Sequence, residues 1–258
     1  MQYKIISLLF FVFMISCAKQ DIDLEEDLSF QFEKAMEFFN KNKYTRAKDE
    51  FDYIIMTDPG SKLANESLYF LAEAMFHLQE YDEASTIYDR YVRFSPDFTK
   101  IELARYRICE CAINLSNSYQ RDQSQTHNAL VQLQMFIEDF PRSNSANDAE
   151  KAIGLLRMKL ARKDYETGRI YLKLEEFESA MVYFQSVMNQ YYDTTVADDA
   201  RIGIIFTHIL DDNHKGALSY LHSQTGKFLS EDKFNEAETL LQDTEMGLKL
   251  AQYYQLYR

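Results

Sequence analysis

The chain contains three prolines, and each lies twelve residues beyond an alanine that opens the same short pattern. Pro59, Pro96 and Pro141 follow Ala47, Ala84 and Ala129 at that fixed distance. Proline has no backbone N–H and a fixed φ, so it marks the end of a helix and not its middle. The spacing therefore predicts a helix that starts close to each alanine and stops just before each proline. Ala180 and Ala217 stand in similar surroundings, although the residue twelve beyond Ala180 is Tyr192.

These alanines align five segments: Lys43 to Ala47, Glu80 to Ala84, Gln125 to Ala129, Glu176 to Ala180 and Asn213 to Ala217. In three of them an aromatic residue, Tyr44, Tyr81 or Phe177, comes three positions earlier. One turn after the alanines stand Phe51, Tyr88, Leu133, Phe184 and Leu221, which spacing places on the same helical face. Twelve residues before the alanines come Ala35, Ala72 and Gly168, small residues that let a preceding helix cross its partner closely. The unit is a helix-turn-helix, and it resembles the tetratricopeptide repeat of about 34 residues.

The alanines recur after 37, 45, 51 and 37 residues, always more than that period. Long helices are expected throughout, with a loop insertion near 115–125 in the third unit and one extended helix over 145–174 in the fourth. The predicted fold is all-α, a superhelical solenoid of about five tetratricopeptide-type repeats at 28–62, 63–98, 99–144, 145–196 and 197–227. A C-terminal capping helix is expected at 228–258, because Phe234, Ala237, Leu241, Leu248 and Ala251 fit one face. The run Tyr253-Tyr254-Gln255-Leu256-Tyr257 belongs either to that cap or to a docking strip.

Only seven glycines among 258 residues, with 46% hydrophobic content, agree with helices rather than turn-rich β folds. A formal charge of -13 and the lack of any Lys/Arg block argue against nucleic-acid binding, which depends on phosphate neutralisation.

The first sixteen residues differ from the rest. Lys4 precedes the apolar run Ile5 to Ile15, the length of a signal-peptide core and too short to span a bilayer. Ser16 and Cys17 follow, and apolar residues, a small residue and a cysteine resemble the bacterial lipobox. The expectation is a lipoprotein signal peptide at 1–16, then a lipidated Cys17 and a short tether at 17–27. A chance cysteine beside an ordinary cleavage site is the alternative. Cys109 and Cys111 are two apart on an expected helix, about 200° around its axis, so they neither pair nor share a metal.

Chemistry has little purchase in this sequence. His77, His127, His208, His214 and His222 show no metal spacing and no neighbouring nucleophile, and the glycines form no phosphate loop. No catalytic residue, metal site or cofactor is expected. Asp198-Asp199 and Asp211-Asp212 fall at expected helix starts or turns, where negative charge suits capping. The concave face of such a solenoid suits an extended peptide. By repeat spacing it takes Phe32, Met36 and Phe39 from the first unit and Tyr69, Glu73, Phe76 and His77 from the second. The same rings would otherwise be covered by the next repeat.

One longer stretch carries a narrower resemblance. It comprises Gln120-Arg121-Asp122-Gln123-Ser124, Phe140-Pro141-Arg142-Ser143, Arg157 to Ala161 with Tyr165, Phe177 to Ala180, and Tyr192-Asp193-Thr194. With the lipobox ahead, the chain from Cys17 to Arg201 resembles the BamD (YfiO) family of outer-membrane-assembly lipoproteins. The resemblance implies a non-enzymatic scaffold, lipid-anchored in the outer membrane and facing the periplasm, within the β-barrel assembly (BAM) complex. Implied partners are the periplasmic domains of a BamA-like barrel component, other BAM subunits and the C-terminal segments of unfolded outer membrane proteins. Other lipid-anchored repeat proteins, a Tol-Pal type coordinator or a SusD-like solute-binding protein, are the competing readings. Asp21 to Asp27 leaves no room for the coiled coil of the former, and the absence of Trp speaks against a glycan platform in the latter.

Overall fold

A computed structural model of the chain describes residues 26–245, where eleven helices and no strand are found. Helix α1 covers 26–40, α2 Tyr44–Thr57, α3 Lys62–His77, α4 Tyr81–Phe94 and α5 Phe98–Leu115. They are followed by α6 Ser124–Asp139, α7 Ala146–Lys173, α8 Phe177–Gln190, α9 Val196–Leu210, α10 His214–Ser223 and α11 Glu231–Glu245. Helices α2, α4 and α6 each stop two residues before a proline, as its missing N–H requires. The signal-peptide run, Cys17 and the aromatic end at 253–257 lie outside the described residues.

All five aligned alanines are fully buried, and so are Phe51, Tyr88, Leu133 and Phe184 one turn later, with Leu221 close behind. The repeated stripe is therefore the core. Burying such a side chain stabilises the fold by roughly 1.5–3 kcal/mol each. Ala35 and Ala72 are fully buried on the preceding helices.

Four of the helix pairs share one turn. Asn42, Gln79, Glu175 and Asp212 hold φ of 57°, 64°, 60° and 54°, the left-handed region, each in the middle of a three-residue connection. In each, two backbone N–H groups reach back to the finishing helix: Asn42 to Phe39 O at 2.9 Å and Lys43 to Phe38 O at 2.9 Å in the first. Gln79 and Glu80, Glu175 and Glu176, and Asp212 and Asn213 repeat the arrangement. This is a Schellman closure, which supplies partners for the last orphan carbonyls. The residue after the left-handed one then accepts from the recurring alanine of the pattern, as Lys43 O does from Ala47 N at 3.0 Å.

The third pair is joined instead by the eight residues 116–123, the insertion expected from the 45-residue step. Gln123 is buried there and its side-chain amide donates to Ser118 O at 2.8 Å and Arg121 O at 2.9 Å, while its Oε1 accepts from Thr126 Oγ1 at 2.8 Å. Lys163 of α7 donates to Arg121 O at 2.7 Å, and Lys159 donates to Ser116 Oγ. The long α7 thus braces the loop.

The chain divides into two compact units, one of residues up to 115 with 135–146, the other of 116–134 with 147 onward. The first has a core of Phe51, Ile54, Leu68, Leu71, Tyr88, Tyr91 and Ile108, among others. Cys111 belongs to this core, Cys109 is buried on the same helix, and neither is disulfide-bonded. The second is centred on Phe184, which touches both Gly168 of α7 and Gly203 of α9.

A buried ion pair closes the second unit. Asp198 and Arg201 of α9 are 2% and 4% exposed and meet at 2.7 Å. Asp198 also accepts from the backbone N–H groups of Leu229, at 3.1 and 2.9 Å, and Ser230, at 2.9 Å, at the entrance to α11. Arg201 lies 5.4 Å from the centre of the Phe228 ring. Buried charges persist only when hydrogen-bonded in this way. Asp198 therefore serves a helix far ahead of its own, in addition to standing in the first turn of α9.

Candidate partner-binding surfaces

The aromatic residues of α1 and α3 form a continuous set in the first unit. Phe32 packs edge-on against Phe51 at 5.7 Å and Phe70 at 6.0 Å, and Phe39 against Phe70 at 5.7 Å. Tyr44 stacks on His77 at 4.4 Å, and Phe76 meets Tyr81 at 5.4 Å. Phe32, Met36, Phe39, Tyr69 and Phe76 are half-buried against the core, whereas His77 is exposed. Phe70, the hub of these contacts, escaped the sequence reading because helix spacing put its neighbour Tyr69 on the groove-facing side.

Glu73 is enclosed. It is 6% exposed and accepts from Tyr88 OH at 2.7 Å, from Arg107 Nε at 2.9 Å and from Arg107 Nη2 at 3.2 Å. Arg107 also donates to Glu110 at 2.9 Å, and its guanidinium lies 4.8 Å from the centre of the Phe76 ring. Burial alone would disfavour the Arg107 charge, but Glu73 and Glu110 outweigh it and hold its pKa above the ordinary value. Burial and then the Glu73 charge push the Tyr69 phenol up to about 12. The side of this surface nearest α5 is thus polar, rigid and already partnered, while the α1 side is apolar.

In the second unit, residues from two separate segments of the stretch that carries the family resemblance come together across helices. Arg157 of α7 donates to the carbonyl of Gln190, the last residue of α8, at 2.9 Å, and to Asp193 Oδ1, three residues further on, at 2.6 Å. Its guanidinium stands 5.6 Å from the centre of the Tyr191 ring. The hydrogen bond from Arg157 holds the Asp193 carboxyl below its ordinary range. Thr194 donates to Tyr191 O at 2.8 Å. Arg157, Asp193 and Thr194 thereby close α8 where proline is absent.

A model of the YfiO family, described as an outer membrane lipoprotein, matches residues 25–205. The chain belongs to the YfiO family. The match takes in α1 to α8 and much of α9, so the paired Arg157 and Asp193, the 116–123 loop and the α1/α3 aromatics all fall within YfiO sequence. Among YfiO relatives, the outer membrane protein assembly factor BamD of Rickettsia prowazekii is 25% identical over 202 residues, 78% of this chain and 80% of that one. BamD of Neisseria meningitidis is 23% identical, over 72% of this chain and 76% of that one. Among solved structures, a tetratricopeptide repeat protein from Parabacteroides merdae is 13% identical with a TM-score of 0.42, covering 90% of this chain and 89% of that one.

Proposed function

We propose that this YfiO-family chain is a lipid-anchored scaffold of a β-barrel assembly complex at the outer membrane, facing the periplasm and acting through protein-protein contacts. The observation that carries this is the family match over 25–205, with relatives named as outer membrane protein assembly factors. Its partners on this reading are the periplasmic domains of a BamA-like barrel component, other subunits of the complex, and C-terminal segments of unfolded outer membrane proteins. Among the described residues no helix is long and apolar enough to cross a membrane. Attachment is assigned to acyl chains on Cys17, of which two signals or chains suffice for a stable anchor.

The first unit supplies the surface assigned to peptide. Phe32, Met36, Phe39 and Phe76 offer partly exposed apolar area, and His77 stands beside them; Glu73 sets the position of Arg107 rather than meeting the peptide directly. Rings of this kind suit a segment that ends in an aromatic residue.

Affinity purification of a tagged chain from detergent extract tests the reading. A BamA-like barrel protein should co-elute, and its consistent absence would sink the proposal. Phe76→Ser should weaken binding of an outer membrane protein C-terminal peptide by about five- to thirtyfold, the range of a 1–2 kcal/mol contact. Unchanged binding would remove the α1/α3 face from the proposal. Cys17→Ala should release the protein from the membrane pellet.

A further inference from the structure

A cavity of about 280 Å³ opens in the second unit between the start of α6, the middle of α7 and the end of α8. Leu160 and Tyr191 form its buried wall, and Asp122 and His127 stand exposed at its mouth. Lys163 and Asp164 line it between these levels. The polar groups deep in the cavity are mostly taken: Gln123 is fully engaged within the loop, and the Lys163 ammonium donates to Arg121 O at 2.7 Å.

Asp164 is the exception. Its carboxylate is half-buried and accepts one hydrogen bond, from Ser186 Oγ to Oδ2 at 2.9 Å. A carboxylate offers about four acceptor positions, and a neutral hydroxyl fills one of them. No ion pair reaches it among the described residues; Lys163 and His127 act on it only through space. Burial dominates those charges and holds the Asp164 carboxyl above its ordinary range. A half-buried carboxylate with acceptor positions to spare, whose neighbouring Lys163 and His127 charges reach it only through space and do not offset its burial, is under-compensated, so its place at a cavity suits a further cation in direct contact.

We propose that this cavity receives an arginine or lysine side chain from a protein partner, whose cationic head pairs with Asp164 while its stem lies along Leu160 and Tyr191. Long basic side chains bury their aliphatic part and keep the head at a polar group. The volume is below that of most small-molecule pockets, about 300–1,000 Å³, and suits one side chain. Tyr191 already carries a guanidinium, that of Arg157, over its ring. The inference goes beyond the assembly-complex reading, since it holds whichever envelope protein supplies the basic residue.

Titration of the full ¹⁵N-labelled chain tests it directly, with acetyl-arginine methylamide, acetyl-lysine methylamide and the neutral acetyl-citrulline methylamide as probes. Saturable shifts should centre on the amides of 122–127 and 160–164 for a cationic probe, and binding should be about tenfold weaker for citrulline and for Asp164→Asn, as loss of one charge-assisted pair implies. Equal binding of citrulline by the wild-type chain, or no shift at these amides with either cation, would overturn the proposal without reference to any variant. Phosphoethanolamine binding as tightly as the arginine probe would assign the cavity to a lipid headgroup and overturn the protein source. Thermal unfolding of Asp164→Asn should match or exceed wild type; a clear loss would show that the carboxylate serves Ser186 and not a ligand.

Discussion

The β-carbon that Gly168 lacks would stand 2.7 Å from Cε1 of Phe184, closer than packed carbons come. The ring is fully buried and Gly203 approaches it too, with a β-carbon there at 2.9 Å from the same atom. Gly168→Ala should therefore destabilise by about 1–3 kcal/mol through overpacking, although alanine is favoured in a helix by about 1 kcal/mol. Gly154, on the same helix, has nothing within 4 Å, so Gly154→Ala should show the propensity gain alone. Opposite shifts in Tm are expected; a rise in both would mean that Phe184 yields easily.

The four left-handed turns make a second prediction. Glutamine and glutamate lose about 1–2 kcal/mol in that conformation, and glycine does not. Gln79→Gly and Glu175→Gly should each raise the denaturation midpoint, by about 1 kcal/mol, with smaller gains at Asn42 and Asp212, whose residue types tolerate it better. Loss of stability at Gln79→Gly would indicate that the glutamine side chain contributes more than its backbone costs.

Removing Asp198 strands the buried Arg201 charge and two backbone donors. Asp198→Ala should cost about 3–5 kcal/mol, the range for breaking a buried pair. Hydrogen exchange should show amides 229 and 230 opening first. Adding Arg201→Met should recover part of the loss, and a strictly additive double variant would contradict the coupling.

Burial pushes the Cys109 and Cys111 thiols up to about 12. Thiolate is the reactive form, so both should resist alkylation at pH 8 while the chain, carrying Cys17→Ala, is folded. Two equivalents of reagent should be consumed once it unfolds. Rapid labelling of the native protein would place these residues nearer solvent.

For Asp164 the pH dependence has a defined sign. Its folded-state pKa is raised, so the folded form binds a proton more readily than the unfolded one, and the group lowers stability as pH rises through that window. The charges of Lys163 and His127 face it and oppose the rise without cancelling it, and the Tyr191 ring lines the same cavity. Asp164→Asn should match wild type at acid pH and gain on it as pH rises above the ordinary carboxylate range. A constant difference at all pH values would deny the shift.

Much of the fold was legible because its signals are strictly local. A proline twelve residues beyond an alanine marks a helix end, and the extended helix over 145–174 appears as Ala146–Lys173. The 45-residue step announced an insertion, but nothing in Gln120 to Ser124 said that Gln123 would turn inward and hold its own loop. Gly168 was recognisable by position, whereas Gly203 was hidden in a unit where Ile205 occupies the small-residue place. The left-handed turns were not legible, since no glycine advertises them. Of the candidate peptide surface, the aromatic spacing was visible, but the engagement of Glu73 by Arg107 depends on residues 34 apart and on burial.

The lock at Asp198 also orders events in time. A chain made from its N-terminus produces this carboxylate thirty-one residues before the Leu229 amide that it binds. Until that stretch arrives, Asp198 has Arg201 within its own helix, and water must serve the acceptor positions that the 229 and 230 amides later take. The seam beside α9 is thus unfinished until the 229–230 stretch docks, which makes premature termination near residue 228 self-reporting: the truncated product retains an open seam that proteases would find first.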